Sequence, residues 1–406
     1  GRPRLWAAGL SLSLLLAVVV TWLVVGRGPY VAPTPDVSRG EVSPSEAAAT
    51  LHRFEQAVDA GDEAAARELA PAGDEKAAEL LGALVSNARA LHVRDFTLRY
   101  VDELGALSGG SWDAAVDVTW GFAGFDRVPA HAEVLVRFAA EDGGVALEAI
   151  GGGDRRSPVW LSGPVEVRRT PTTLVLVEGP SAEADALARR ATRAVPVVRR
   201  VLRGWRPHLV VEVPRSAAAL DQALDATPGE YANIAAVTTT ADGSVTPGSP
   251  VHVFVNPDVF SRLKPRGAQV VMSHEATHVA TDAATSTMPL WLLEGFADYV
   301  ALRDVDLPLS TTAGQVIKQV RRHGPPAALP GRAEFDTATT HLGAAYEAAW
   351  LACRLLAEAG GERGLVRLYD DVDAGRSVDE ALRSHVGLGE REFIRMWQRR
   401  LSDLAA

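Results

Sequence analysis

Cysteine is almost absent from this chain, since Cys353 is the only one among 406 residues. A single thiol excludes a disulfide within the chain and a cysteine-rich metal site, so stability must come from hydrophobic cores or from a metal held by other ligands. Basic residues are outnumbered by acidic ones, 41 against 51, and the formal net charge is −10. Because binding to phosphates requires a basic face, this balance argues against a nucleic-acid partner.

Arginine is concentrated in one segment, "ARRATRAVPVVRRVLRG", residues 188 to 204. Pro196 falls within it, and the segment lacks interleaved aromatic residues that could stack on bases. This pattern favours a solvated helix face. The glycines at 151 to 153 precede no helical pattern, so we predict a turn there and no phosphate-binding loop. Internal repeats and low-complexity tracts are absent as well.

Charge is missing from residues 5 to 25, "LWAAGLSLSLLLAVVVTWLVV". A helix of this length would span about 30 Å, the thickness of the hydrocarbon core of a bilayer. Trp6 and Trp22 lie near its two ends, as interfacial aromatic residues do. We predict a transmembrane anchor over residues 1–26 that leaves the rest of the chain outside the cytoplasm. A cleaved signal peptide, and hence a secreted protein, is the alternative.

Two folded segments are predicted, after a linker rich in proline and serine over residues 27–45. In the first segment, residues 46–165, helical patterning gives way to strands. "WDAAVDVTWGF" alternates apolar and mostly polar residues, the period of a half-buried strand, and two further strands follow with a Gly-Gly turn between them. Helices followed by an antiparallel meander resemble the NTF2-like (SnoaL-like) fold, an α+β cone. No acid and base converge in this segment, which favours a packing or substrate-positioning role.

The second segment, residues 170–406, begins with the short apolar strands of "TTLVLVEG" and "HLVVEVP" around a helix at 181 to 204. "SPVHVFVNP" adds another strand, and residues 266 to 406 are mostly helical in pattern. The overall prediction is an α+β chain whose second segment combines a small mixed sheet with a mostly helical C-terminal part.

The stretch "AQVVMSHEATHVAT", residues 268 to 281, places two histidines and a glutamate in an apolar helix. His274 and His278 are one turn apart, so both imidazoles point the same way and can bind one ion. This is the H-E-x-x-H arrangement, in which two histidines bind zinc and Glu275 acts as a general base. A third ligand is required.

The next apolar helix supplies that ligand. In "MPLWLLEGFADYVALRD", residues 288 to 304, Glu294 and Asp298 are again one turn apart. A carboxylate buried among apolar side chains costs several kcal/mol unless a cation receives it. We predict Glu294 as the third zinc ligand, with Asp298 accepting the free ring N–H of a ligand histidine. The alternative is that both histidines are satisfied core residues, but polar residues on compatible faces of two adjacent apolar helices favour zinc.

The segment "HEATH" and, after ten intervening residues, "PLWLLEGFADYV", which leaves fifteen residues between His278 and Glu294, resemble the gluzincin metallopeptidases, most closely the peptidase-MA-like group, over roughly residues 170 to 406. The loop between the two helices is shorter than in the best-known members. The resemblance implies one zinc ion per chain and a peptide or protein substrate. It also implies that Tyr346 is the phenol that hydrogen-bonds the oxyanion, although Tyr346 is equally compatible with plain helix core. His341 is a second possible donor, but a capping or surface histidine is favoured.

The sequence therefore predicts a membrane-anchored, extracytoplasmic zinc peptidase in which Glu275 deprotonates the attacking water. The strand "VHVFV", residues 251 to 255, is a possible site for pairing with an extended substrate. The alternative is a non-hydrolytic extracellular binding module that contains zinc, and an open fourth coordination position would distinguish the two. A third hypothesis is a solute-binding protein that uses an NTF2-like cavity, but the sequence contains no polar cluster that supports it.

Overall fold

A computed structural model of the chain describes residues 43–406, apart from Pro247 and residues 337–340. Over this range the chain is α+β, which confirms the predicted class. The predicted anchor over residues 1–26 lies outside the described residues, as does nearly all of the linker. Among the helices that are described, none is both long and apolar enough to cross a membrane.

The first part of the fold packs three helices on a four-stranded antiparallel sheet of order β1-β2-β3-β4. The helices are α1 (Pro44–Ala60), α2 (Glu63–Arg67) and α3 (Glu75–Leu91). The strands are β1 (Val93–Ser108), β2 (Ser111–Phe122), β3 (Ala130–Glu141) and β4 (Gly144–Ile150). Ser43, Asp62 and Asp74 begin the three helices, because each side chain accepts a hydrogen bond from a backbone N–H of the first turn.

Strand β2 buries every residue of its predicted apolar face. Strand β1, the longest of the sheet, was not predicted. Its pairing with β2 contains register shifts between Arg94 and Thr97 and again between Tyr100 and Asp102. Each shift changes which residues face inward, so the apolar period of two that marks a strand in sequence is broken.

A second, mixed sheet of order β5-β6-β7-β9-β8 follows the short helix α4 (Val159–Ser162). Its strands are β5 (Glu166–Arg169), β6 (Thr173–Val177), β7 (Leu209–Val213), β8 (Ala236–Thr240) and β9 (Val251–Val255). Strands β6, β7 and β9 are parallel, while β5 and β8 are antiparallel to their neighbours. The suggestion that "VHVFV" pairs with substrate is wrong, because this strand is β9 and both of its edges are taken by β7 and β8.

Three of the remaining helices lie before residue 265, and the others make up most of the described chain beyond residue 266, as predicted. The remaining helices are α5 (Ser181–Val201), α6 (Ala217–Leu224), α7 (Pro257–Phe260), α8 (Pro265–Ala280), α9 (Leu290–Leu302), α10 (Leu309–Thr312), α11 (Gly314–His323), α12 (Leu342–Asp373), α13 (Val378–His385) and α14 (Glu390–Ala405). A 3-10 turn at Ala283–Thr285 connects α8 to α9. Helix α12 bends at Gly361, whose φ of 74° is available to glycine at little cost.

Both faces of the mixed sheet are buried, and they face different parts of the chain. Val175, Val211 and Val253 pack against the helices that follow, α5, α8 and α9 among them. The alternate residues Leu174, Val210 and Phe254 pack into the core formed by the first sheet and its helices. Residues 43–406 accordingly form one compact unit, in which the first segment packs on one face of the mixed sheet and the later helices pack on the other.

A buried charged cluster lies on the face of the mixed sheet toward the first segment. His252 of β9, only 1 % exposed, has Nδ1 2.6 Å from Oε1 of Glu212 on β7 and Nε2 3.0 Å from Oδ1 of Asp126, which follows β2. An ionised carboxylate only accepts, so both ring nitrogens donate and the ring is an imidazolium. Burial alone lowers the pKa of His252, but Asp126 and Glu212 outweigh it and raise that pKa to about 10.

This shift predicts how stability depends on pH. Because the folded pKa of His252 lies above its ordinary value of 6.5, its proton stabilises the fold fully below that value, and the contribution is lost as pH rises through about 10. We expect the free energy of unfolding to fall between these limits by up to roughly 1.4 kcal/mol per pH unit. Urea titrations at a series of pH values measure this slope. An equal slope in His252→Ala would contradict the assignment.

Candidate metal centre

Helices α8 and α9 pack side by side and bring three predicted ligands together. Nε2 of His278 lies 2.9 Å from Nε2 of His274, and Oε2 of Glu294 lies 3.2 Å from the first histidine of the motif and 3.3 Å from the second. These three are also the one His, Cys, Asp and Glu group within the described residues whose ligand atoms could share a metal ion. The side chains are largely buried.

The donor triangle has nearly the dimensions of a tetrahedral zinc site. Ligands about 2.0 to 2.1 Å from zinc lie about 3.3 to 3.4 Å from one another, which matches the two distances to Glu294, while the two imidazole nitrogens are closer together at 2.9 Å. Two imidazole nitrogens and one carboxylate oxygen are also ligands that zinc prefers. In the described structure, the buried Nδ1 of His278 has no hydrogen-bond partner. The triangle therefore fits zinc, while the outer hydrogen bond common for a ligand histidine is present on His274 alone.

Asp298 lies on the opposite side of the His274 ring, with Oδ1 2.8 Å from Nδ1. Since the carboxylate accepts, Nδ1 carries the proton, and in the neutral ring Nε2 keeps its lone pair for a metal. Burial alone lowers the pKa of His274, but Asp298 and Glu294 raise it well above its ordinary value. For Glu294 the balance is the opposite. Burial alone raises its pKa, but the imidazoles of His278 and His274 outweigh burial and hold the pKa well below its usual range. The site thus attracts positive charge.

Helix α8 is buried on two sides, which the sequence pattern did not show. Ala268, Met272, Ala276 and Val279 form an apolar stripe in the core. The polar stripe with the histidines and Glu275 lies beside it, toward α9 and strand β8. The polar residues thus do not replace the apolar stripe that anchors the helix.

Glu275, the predicted general base, is buried and contacts a residue that sequence reasoning missed. The hydroxyl of Thr238, on strand β8, lies 2.7 Å from Oε2 of Glu275 and 3.2 Å from its backbone oxygen. The available signal was the β-branched run "VTTT", residues 237 to 240, which is typical of a strand. Its position beside α8 depends on the strand order and was not predictable.

Tyr346 lies at the site, one helix away from the predicted ligands. Its ring packs edge-on against His274, with centroids 6.1 Å apart, and against Phe335 at 5.1 Å. Burial, together with the carboxylates of Glu294 and Asp298, raises the pKa of Tyr346 well above its ordinary value. The phenol is therefore protonated at neutral pH and able to donate. His341, in contrast, is an exposed residue at the start of α12, and its side chain makes no capping hydrogen bond.

Gly295, next to Glu294, allows α9 to approach α12 closely. A Cβ atom at this position would lie 2.4 Å from the backbone oxygen of Ala349 and 2.9 Å from Sγ of Cys353. Real Cβ atoms do not come this close to backbone atoms, so a side chain there would push the two helices apart. Gly295 therefore allows the close helix packing that positions the neighbouring Glu294.

We expect Gly295→Ala to lower the free energy of unfolding by about 1–3 kcal/mol, although alanine is the better helix former. Because the displaced helix carries Glu294, zinc affinity should fall as well. Thermal unfolding and chelator competition measure the two effects. Gly267→Ala in α8 is the matched control, since nothing lies within 4 Å of a Cβ there. Equal stability of both variants would show that the approach of the helices is not tight.

Comparison with protein-family models, with curated proteins and with solved structures finds no match for this chain. The resemblance to gluzincins therefore depends on the two helix motifs themselves. The case for a function rests on the geometry of the donor triangle and of the groups around it.

Proposed function

We propose that this chain is a zinc-dependent peptidase of the gluzincin type, anchored in a membrane by its N-terminal segment with the folded part outside the cytoplasm. The observation that supports the activity is the triangle of two imidazole nitrogens and one carboxylate oxygen, with sides of 2.9, 3.2 and 3.3 Å. We further propose that residues 46–165 form an NTF2-like domain and residues 170–406 a peptidase-MA-like domain.

In this proposal, Nε2 of His274, Nε2 of His278 and Oε2 of Glu294 would hold one zinc ion. When bound, zinc would supply Lewis acidity and would lower the pKa of the attacking water molecule. Asp298 holds the proton on Nδ1 of His274 and so keeps the tautomer that binds metal.

The chain itself moves the protons of the reaction. The carboxylate of Glu275 removes a proton from the attacking water and delivers it to the leaving amine. The phenol of Tyr346, kept protonated by burial, donates a hydrogen bond to the developing oxyanion. An extended peptide could pair with β8, since β8 lies at the end of the strand order and β9 is its one partner strand among the described residues.

Zinc content tests the site without knowledge of the substrate. Elemental analysis of the purified chain is expected to give one zinc per chain, and His278→Ala is expected to lose it, because two remaining ligands hold zinc weakly. His52→Ala is the control, since His52 is exposed on α1 and far from the motif in sequence. Absence of zinc from the wild-type chain after reconstitution would contradict the proposal.

Cleavage of a peptide library then distinguishes an enzyme from a binding module. Hydrolysis that requires zinc supports the peptidase. One bound zinc without cleavage of any peptide would instead favour the non-hydrolytic binding module.

A further inference from the structure

Thr238, on strand β8, donates a hydrogen bond to the predicted general base, Glu275, on helix α8. Its Oγ1 lies 2.7 Å from Oε2 of Glu275, although the two residues are 37 positions apart in sequence. The hydroxyl has a second acceptor in the backbone oxygen of Glu275, at 3.2 Å. A threonine carries one hydroxyl proton, and the shorter distance places that proton toward the carboxylate.

The sheet fixes the direction in which Thr238 points. Strand β8 pairs with β9 in a register that sets Thr238 opposite Val253. Ala236, two residues earlier, belongs to the core under the helices, so Thr238 faces the helices as well. Val237, in contrast, packs against the core of the first segment. A β-branched side chain in a strand has a restricted χ1, which limits the positions that the hydroxyl can take.

Glu275 gains more from this contact than an exposed carboxylate would. Its side chain has three rotatable bonds, whose freedom opposes a single reactive orientation. Glu275 is 7 % exposed, and within the described residues Thr238 is the one group that donates a hydrogen bond to its carboxylate. This hydrogen bond engages Oε2, whereas Oε1 accepts no hydrogen bond from the described residues.

We propose that Thr238 is a positioning residue for Glu275. Its hydroxyl binds Oε2 and thereby leaves Oε1 oriented to take a proton from the attacking water and to deliver it to the leaving amine. This inference rests on the proposed peptidase function. Thr238 touches no reacting atom, and its effect passes entirely through the orientation of the base. Such pre-orientation matters because a displacement of about 1 Å lowers a reaction rate by up to about 100-fold.

Three variants test the inference. Thr238→Val keeps the shape and removes the hydroxyl, Thr238→Ser keeps the hydroxyl, and Thr239→Val makes the same exchange at the next residue of β8, whose side chain points to the opposite face. Crystal structures of all three would show the orientation of the Glu275 carboxylate. Elemental analysis would measure their zinc content, and steady-state kinetics on a cleaved library peptide would give kcat and KM.

In Thr238→Val we expect the Glu275 carboxylate to rotate away from its wild-type orientation while zinc remains at one per chain. We expect kcat to fall about 10- to 100-fold, with KM within about twofold of wild type. Thr238→Ser should restore both the orientation and kcat, and Thr239→Val should match wild type. If Thr238→Val does not fold, Thr238→Ala, which also lacks the hydroxyl, takes its place.

An unchanged carboxylate orientation in Thr238→Val would overturn the inference, as would an equal loss of kcat in Thr238→Ser. The crystallographic result does not depend on catalysis. If the wild-type chain proves inactive, the proposed function fails, while the orientation of Glu275 still decides whether Thr238 positions it.

Discussion

Replacing Glu275 with glutamine is expected to lower turnover by about 10²- to 10⁴-fold while the chain keeps one zinc ion. Glutamine has nearly the same shape but cannot take a proton from water. The side chain lies outside the donor triangle, and its Oε2 instead accepts from the hydroxyl of Thr238. Loss of turnover with retained zinc would separate proton transfer from metal binding.

Zinc content and kcat of the Glu275→Gln protein, measured on one preparation, provide this test. Glu358→Gln is the control, because Glu358 pairs with Arg400 on the protein surface. A Glu275→Gln protein as active as wild type would refute the general-base role. A protein without zinc would show that the residue supports the metal site instead.

His252→Ala is expected to lower the free energy of unfolding by about 3–5 kcal/mol, the largest effect on stability among the substitutions considered. The change removes the imidazolium between Asp126 and Glu212 and leaves two carboxylates buried without their cation. Removing one partner of a buried ion pair typically has this effect. Because Asp126 belongs to the first folded segment and Glu212 to the mixed sheet, both segments should be destabilised together.

Urea denaturation followed by circular dichroism measures this loss. His131→Ala is the control, since His131 is an exposed residue of β3 whose substitution should change stability by no more than about 0.5 kcal/mol. A similarly small effect for His252→Ala would mean that water or the carboxylates themselves relieve the buried charge.

The regular parts of this fold were predictable because their patterns are local. Strands β6, β7 and β9 are short apolar runs with clear ends, and β2 alternates apolar with mostly polar residues. Strand β1 was not found, since its register shifts break the period of two. Strand β8 was not found either. Its place at the end of the mixed sheet, antiparallel to β9, is set by tertiary packing.

In the candidate site, too, the features set by local spacing were predictable from the sequence, and those set by tertiary packing were not. His274 and His278 are one turn apart on one helix, and so are Glu294 and Asp298 on the next, so each pair is visible in sequence. Helix packing then brings the pairs together. Thr238 was not predictable as a neighbour of Glu275, because their contact depends on which strand lies beside α8. Local spacing identified the donors, and strand order determined the surroundings of the base.

Because both faces of the mixed sheet are covered, the chain is difficult to cut into two separately folded fragments. A fragment that starts near residue 170 would carry the whole candidate site, yet it would expose Leu174, Leu176, Val210 and Phe254 to water. Such a surface promotes aggregation. We therefore expect the part of the chain that carries the candidate site to aggregate when it is produced without the N-terminal segment, and the two segments to stay associated after a cut between them.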